Sequence, residues 1–72
     1  MRRELKKEIV KDIMELKEWC LSNNKSSEFI RVLNRNGQQY YLVDSLLEKT
    51  LMNKSKLTLD TIREEILEEV VY

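Results

Sequence analysis

The sequence predicts an α+β fold ordered α-β-β-α-α: a long amino-terminal helix, a two-stranded antiparallel hairpin and two carboxy-terminal helices. Three observations predict it. The only glycine follows an asparagine, Asn36-Gly37, between the runs Phe29-Ile-Arg-Val-Leu33 and Gln39-Tyr-Tyr-Leu-Val43. Asn-Gly supplies the two consecutive positive-φ residues of a type I′ turn at the least steric cost. Apolar residues recur at helical spacing on both sides of this turn, over 2–22 and over 58–70. Capping signals then divide the segment after the hairpin into two helices.

The first helix spans 2–22. Leu5, Ile9, Ile13, Leu16 and Cys20 recur at intervals of four and three, which places them on one face. Pairs such as Glu4/Lys7, Glu8/Lys11 and Lys11/Glu15 support the outer face. A second ridge of Val10, Met14 and Leu21 lies about 100° around the helix, and Trp19 flanks the other side. So wide an apolar arc implies packing from two sides, or contact with another chain. Ser22-Asn-Asn-Lys-Ser-Ser27 then breaks the helix.

In the hairpin, alternation sets Ile30 and Val32 on one face and Phe29, Arg31 and Leu33 on the other. A two-residue loop pairs Leu33 with Tyr40 and Val32 with Tyr41, whereas a three-residue loop with a bulge exchanges the tyrosines' faces. Both registers leave large apolar groups on both faces. A two-stranded ribbon is marginal alone and needs cover.

Residues 44–53 form a short helix, with Ser45-Leu-Leu-Glu48 as a capping box and Asp44 as a competing cap. The last helix begins at Thr58, whose hydroxyl caps it, with Asp60 in the first turn and Leu57 and Ile62 as a hydrophobic staple. Leu59, Ile62, Ile66 and Val70 form its inner face, and Leu67 and Val71 a flank.

The 72 residues make one domain, 1–72. A chain this short buries only about 60% of its unfolded surface and commonly needs a disulfide, a metal or self-association. One cysteine allows no internal disulfide, and with no histidine it builds no structural zinc site. A homodimer is the remedy left. The longest apolar run, Tyr40-Tyr-Leu-Val43, is far short of the ~18 residues of a membrane span. That and the unpaired thiol point to a cytoplasmic protein. The sequence lacks alanine and proline and has one glycine, all residues of GC-rich codons, so an AT-rich genome is expected, with a phage or mobile element as a fitting source.

Catalytic groups are sparse, and no catalytic, cofactor-binding or metal-ligating residue is assigned. Without histidine the usual general base near neutral pH is missing. The five serines fall in loops and caps, and Cys20 belongs to an apolar stripe where a thiol acts as a small core residue. Glu64/Glu68 and Glu65/Glu69 are spaced as helix-surface pairs without a third ligand. One glycine excludes a Gly-rich phosphate loop.

Net charge is zero, with 13 basic and 13 acidic side chains. A strongly basic domain, the general signal of nucleic-acid binding, is therefore absent. Charge is nonetheless segregated. Arg2, Arg3, Lys6, Lys7 and Lys11 crowd one end, and Asp60, Glu64, Glu65, Glu68 and Glu69 the other. Residues 45–70 superficially suit a helix-turn-helix, but its second helix would present four glutamates to phosphate.

Two functions follow as expectations. The first is a small non-enzymatic interaction protein, homodimeric and binding another protein through Val10, Met14, Trp19, Leu21, Tyr40 and Tyr41. Aromatic residues favour such a role at interface hot spots. The alternative is a dimeric DNA-binding transcriptional regulator that contacts the duplex through Arg2, Arg3, Arg31 and Arg35 on the first helix and hairpin. Neither needs a cofactor, a membrane or a small-molecule substrate.

Overall fold

Asn36-Gly37 ends a helix and does not turn a hairpin. In the computed structural model, which describes residues 4–39 and 43–72, Ser26–Arg35 is helical (α2). Gly37 takes the left-handed φ of +82° one residue beyond the cap Asn36, whose own φ is −96°. Gln38 N–H donates to Leu33 O at 2.9 Å and Gly37 N–H to Asn34 O at 3.0 Å. Those two bonds are the Schellman closure of a helix, which needs one left-handed residue where a type I′ turn needs two.

The predicted α+β fold is thereby replaced by an all-helical one. Phe29, Val32 and Leu33 are buried, at the i, i+3, i+4 spacing of one helix face, while Arg31 is exposed. Burying three such side chains is worth about 1.5–3 kcal/mol each. Alternation would split them between two faces, so the helix is the arrangement that covers them together. Glu28 in the first turn and Arg35 in the last complement the helix dipole. No strand occurs among the described residues. Tyr40 and Tyr41 lie outside them.

The other helices are α1 (Lys6–Ser22), α3 (Asp44–Met52) and α4 (Lys56–Ile66), and α4 runs on into a π-helical turn at Leu67–Val71. α1 ends as α2 does. Asn24 sits at φ +59°, and Lys25 N–H reaches Cys20 O at 2.8 Å. α3 keeps its expected extent without the expected capping box, for no side chain caps it. Asp44 instead pairs with Lys17 of α1. α4 starts earlier than expected because Ser55 is its cap, with Oγ accepting from Thr58 N–H at 3.1 Å. Leu57 is 78% exposed and staples nothing.

α1 is the central element, touching α2, α3 and α4. It runs parallel to α4, since Glu4 and Asp12 meet Arg63 while Leu16 and Trp19 face Leu67 and Val71. It runs antiparallel to α3: Lys6 Nζ donates to Met52 O at 2.9 Å, and Lys17 meets Asp44 at the other end. Val10 and Met14 of its wide apolar arc are therefore packed within the chain, while Trp19 and Leu21 stay exposed. The core joins Ile9, Val10, Ile13 and Cys20 of α1 to Leu47 and Leu51 of α3 and to Leu59, Ile62 and Ile66 of α4. The ammonium of Lys17 reaches Asp44 from a buried stem, as long cationic side chains do at a core's edge.

Beyond α2, Gln38 is 1% exposed, and its amide donates to the Thr50 hydroxyl of α3. That hydroxyl donates in turn to Leu46 O at 2.8 Å. The Schellman closure thus directs a polar side chain inward, where α3 satisfies it.

Candidate functional site: an acid-rimmed groove between α1 and α4

Parallel helices that meet at their buried stripes leave a furrow along their outer flanks. Between α1 and α4 it widens into an open groove of about 370 Å³ lined by Asp12, Glu15, Leu16, Trp19, Arg63, Leu67 and Val71. Helical spacing builds both walls. Residues 12, 16 and 19 stack on α1, and residues 63, 67 and 71 stack at intervals of four on α4 and its π turn. In the π turn the backbone bonds lengthen to i→i+5, as in Tyr72 N–H to Leu67 O at 2.9 Å. Such turns occur often at functional positions.

The floor is apolar: Leu16 and Val71 pack on the edge of the core, Leu67 is half-buried, and Trp19 remains 36% exposed. The upper end is electrostatic. Arg63 donates to Glu4 through Nη1 at 2.8 Å and Nη2 at 2.9 Å, to Asp12 at 2.8 Å and to Asp60 at 2.8 Å. Those hydrogen bonds, led by Glu4's, raise the pKa of a guanidinium that is charged in any case. Four of the guanidinium's five N–H groups thus meet carboxylates.

A second groove, about 570 Å³, runs between α1 and α3 past Lys7, Glu8, Val10, Lys11, Met14, Asp44 and Glu48. Charges of both signs mix along it, and Val10 is 2% exposed. It is the more voluminous of the two, but no aromatic side chain lines it.

The structure separates the residues expected at an interface. Val10 is in the core and Met14 packs against it. Leu21 is 47% exposed, yet it lies two residues from Trp19 and so on the far side of α1. Of the expected residues that are described, only Trp19 lines the α1/α4 groove. Leu16 was expected in the core alone, and Leu67 and Val71 only as a flank. The available signal was that flank, a second apolar stripe on a helix already supplied with an inner face.

The cations expected at DNA are also separated. Arg2 and Arg3 lie outside the described residues. Arg31 is exposed on α2, whereas Arg35 donates to Glu65 at 2.9 Å and Glu69 at 2.6 Å. Cys20 is fully buried, and burial, with Glu28 adding to it, pushes its thiol pKa up. A buried protonated thiol is a poor nucleophile.

Among the described residues no cluster of three or more potential ligands is arranged for a metal ion, and no helix is long and apolar enough to cross a membrane. Comparison with family profiles, with curated proteins and with solved structures finds no match. The functional reading therefore rests on the groove's own chemistry.

Proposed function

We propose that this chain is a small non-enzymatic interaction domain that holds a segment of another protein in the α1/α4 groove. The observation that carries the proposal is a half-exposed tryptophan, the only one in the chain, above an apolar floor with charge at its rim. Interface hot spots commonly combine an aromatic anchor, an apolar centre and a polar rim. A cytoplasmic location accords with the single thiol being kept unpaired.

A second copy of the chain is the competing occupant. The small size of a chain without an internal disulfide still favours a homodimer, but the ribbon apolar on both faces is replaced by α2, and of the ridge Val10, Met14 and Leu21 only Leu21 stays exposed. DNA binding has weaker support. Arg35 is engaged by two glutamates, and Glu64 and Glu68 stand exposed on α4 and its π turn, where they would repel phosphate.

The test is site-specific photo-cross-linking in source cells, from position 67 in the groove and from position 31 on the outer face of α2. A discrete adduct from position 67, absent from position 31 and lost with Trp19→Ala, is the expected result. No adduct at 67, or the same adducts at both positions, would overturn the proposal. An adduct of twice the chain's mass would instead identify a second copy.

A further inference from the structure

We infer that the groove takes a cationic amphipathic helix, one with aliphatic side chains along one stripe and Lys or Arg flanking them; the inference rests on the protein-binding reading above. Charge balance at the rim is the first ground. Arg63 is the sole cation among the groove's lining residues, and Glu4, Asp12 and Asp60 already surround it. Glu15 is a further carboxylate lining the groove beside Asp12. Glu64 and Glu68 are exposed, three residues before Leu67 and Val71 respectively, and so flank the α4 wall. The cations of α1 are elsewhere, as Lys7 and Lys11 line the α1/α3 groove. An anionic segment would be repelled by Glu15, Glu64 and Glu68 along the groove, while a cationic one would be attracted to them.

Shape is the second ground. Two parallel helices with side chains in ridges accept a third helix in the furrow between them. The floor of Leu16, Trp19, Leu67 and Val71 suits aliphatic residues at i and i+3 or i+4. A second copy cannot readily supply such a helix. The main apolar stripes of α1, α2, α3 and α4 are consumed in the chain's own core, and the exposed Leu21, Leu46, Met52 and Leu57 are spread over three helices.

Trp19, as the single tryptophan, reports on occupancy by its fluorescence. The full chain is titrated with three hydrocarbon-stapled 18-residue helices: one of leucine and lysine, one of leucine and glutamate, and one of serine and lysine. The leucine/lysine helix should give a saturable blue shift, weakened at least tenfold by Leu67→Lys and also by Glu15→Lys. Glu15 is exposed and outside the core, so the second variant tests charge without risk to folding. Equal binding of the leucine/glutamate helix would overturn the inference. So would equal binding of the serine/lysine helix, which would mean charge adhesion alone, or indifference to both variants, or no saturable shift. A blue shift that depends on protein concentration without peptide would assign the groove to a second copy and also overturn it. Cross-linking from position 67 to a neutral or acidic segment would leave the docking function standing while this inference fails.

Discussion

Arg63 grips Glu4 with both terminal guanidinium nitrogens, at 2.8 and 2.9 Å, across 59 residues of sequence. Asp12 and Asp60 hold the same group, so one side chain ties the start of the chain to α1 and α4. Arg63→Gln would leave three carboxylates facing one another. Its side chain is 14% exposed but its partners are 39%, 47% and 50% exposed, so solvent screens much of the effect. A loss of about 1–2 kcal/mol is expected, below the value for a fully buried pair. Glu4→Gln, which relieves crowding as it removes a contact, should cost less than half as much. Urea denaturation at low and high salt checks this, because salt screens the stranded carboxylates and should narrow the Arg63→Gln deficit. Equal deficits for both variants would rule out the hub role.

The helical phase of α2 makes a prediction that a strand would reverse. Phe29, Val32 and Leu33 are each at most 2% exposed, whereas Ile30 is half-buried. Alanine at Phe29 or Leu33 should cost about 2–5 kcal/mol and alanine at Ile30 about 1 kcal/mol. Val32→Asp should prevent folding, while Arg31→Asp should be tolerated. In an alternating ribbon Ile30 and Val32 would behave alike. Thermal melts of these variants decide between the two periods.

Gly37 is required for its dihedral and not for its size. A Cβ built there would meet only Lys54 Nζ at 3.9 Å, an ordinary contact, yet φ is +82°. Gly37→Ala should therefore cost about 1–2 kcal/mol through the left-handed backbone alone. D-alanine at position 37, introduced by chemical synthesis, should match or exceed the stability of glycine. If the D and L residues destabilised equally, space and not φ would be the constraint.

The legibility of this chain divides at α2. The stripes Ile9/Ile13/Cys20 and Leu59/Ile62/Ile66 are long enough for period 3.6 to prevail, and a helix forms over each, though α1 begins only at Lys6 and α4 already at Lys56. Over 29–33 the apolar residues satisfy either period, and Asn-Gly serves both a I′ turn and a helix end. The decisive clue was the supposed ribbon's apolar surface on both faces. That conflict disappears once Phe29, Val32 and Leu33 share one face. The groove was less legible, because Leu67 and Val71 acquire meaning only when α1 is known to lie parallel to α4. No local pattern records which helices become neighbours.

Cys20 should be inert in the native protein. It is 0% exposed, and burial raises its thiol pKa, so both access and thiolate are lacking. Labelling with a thiol-specific disulfide reagent should be slow in buffer and fast in denaturant, at a rate limited by unfolding. Cys20→Ser should cost about 1–3 kcal/mol by burying a hydroxyl in an apolar site. Rapid native labelling would contradict the packing of α1 against its neighbours.

The last prediction concerns acid. Glu65 accepts from Asn36 Nδ2 at 2.8 Å and from Arg35 Nη2 at 2.9 Å, and these hydrogen bonds, Asn36's the larger, lower its pKa from the usual 4.5. A carboxylate whose pKa is lower folded than unfolded stabilises the fold above the unfolded value, and the gain is lost as pH falls through the folded one. The pair therefore contributes fully at pH 7 and nothing once Glu65 is protonated in both states. Glu65→Gln keeps an acceptor for Asn36 but discards the charge facing Arg35. Its stability should lie below that of the parent at pH 7, and the two curves should converge as pH drops below about 4.5. Urea midpoints measured from pH 7 to pH 3 check the convergence. A constant gap across that range would mean that the Glu65 carboxylate contributes through packing and not through its charge.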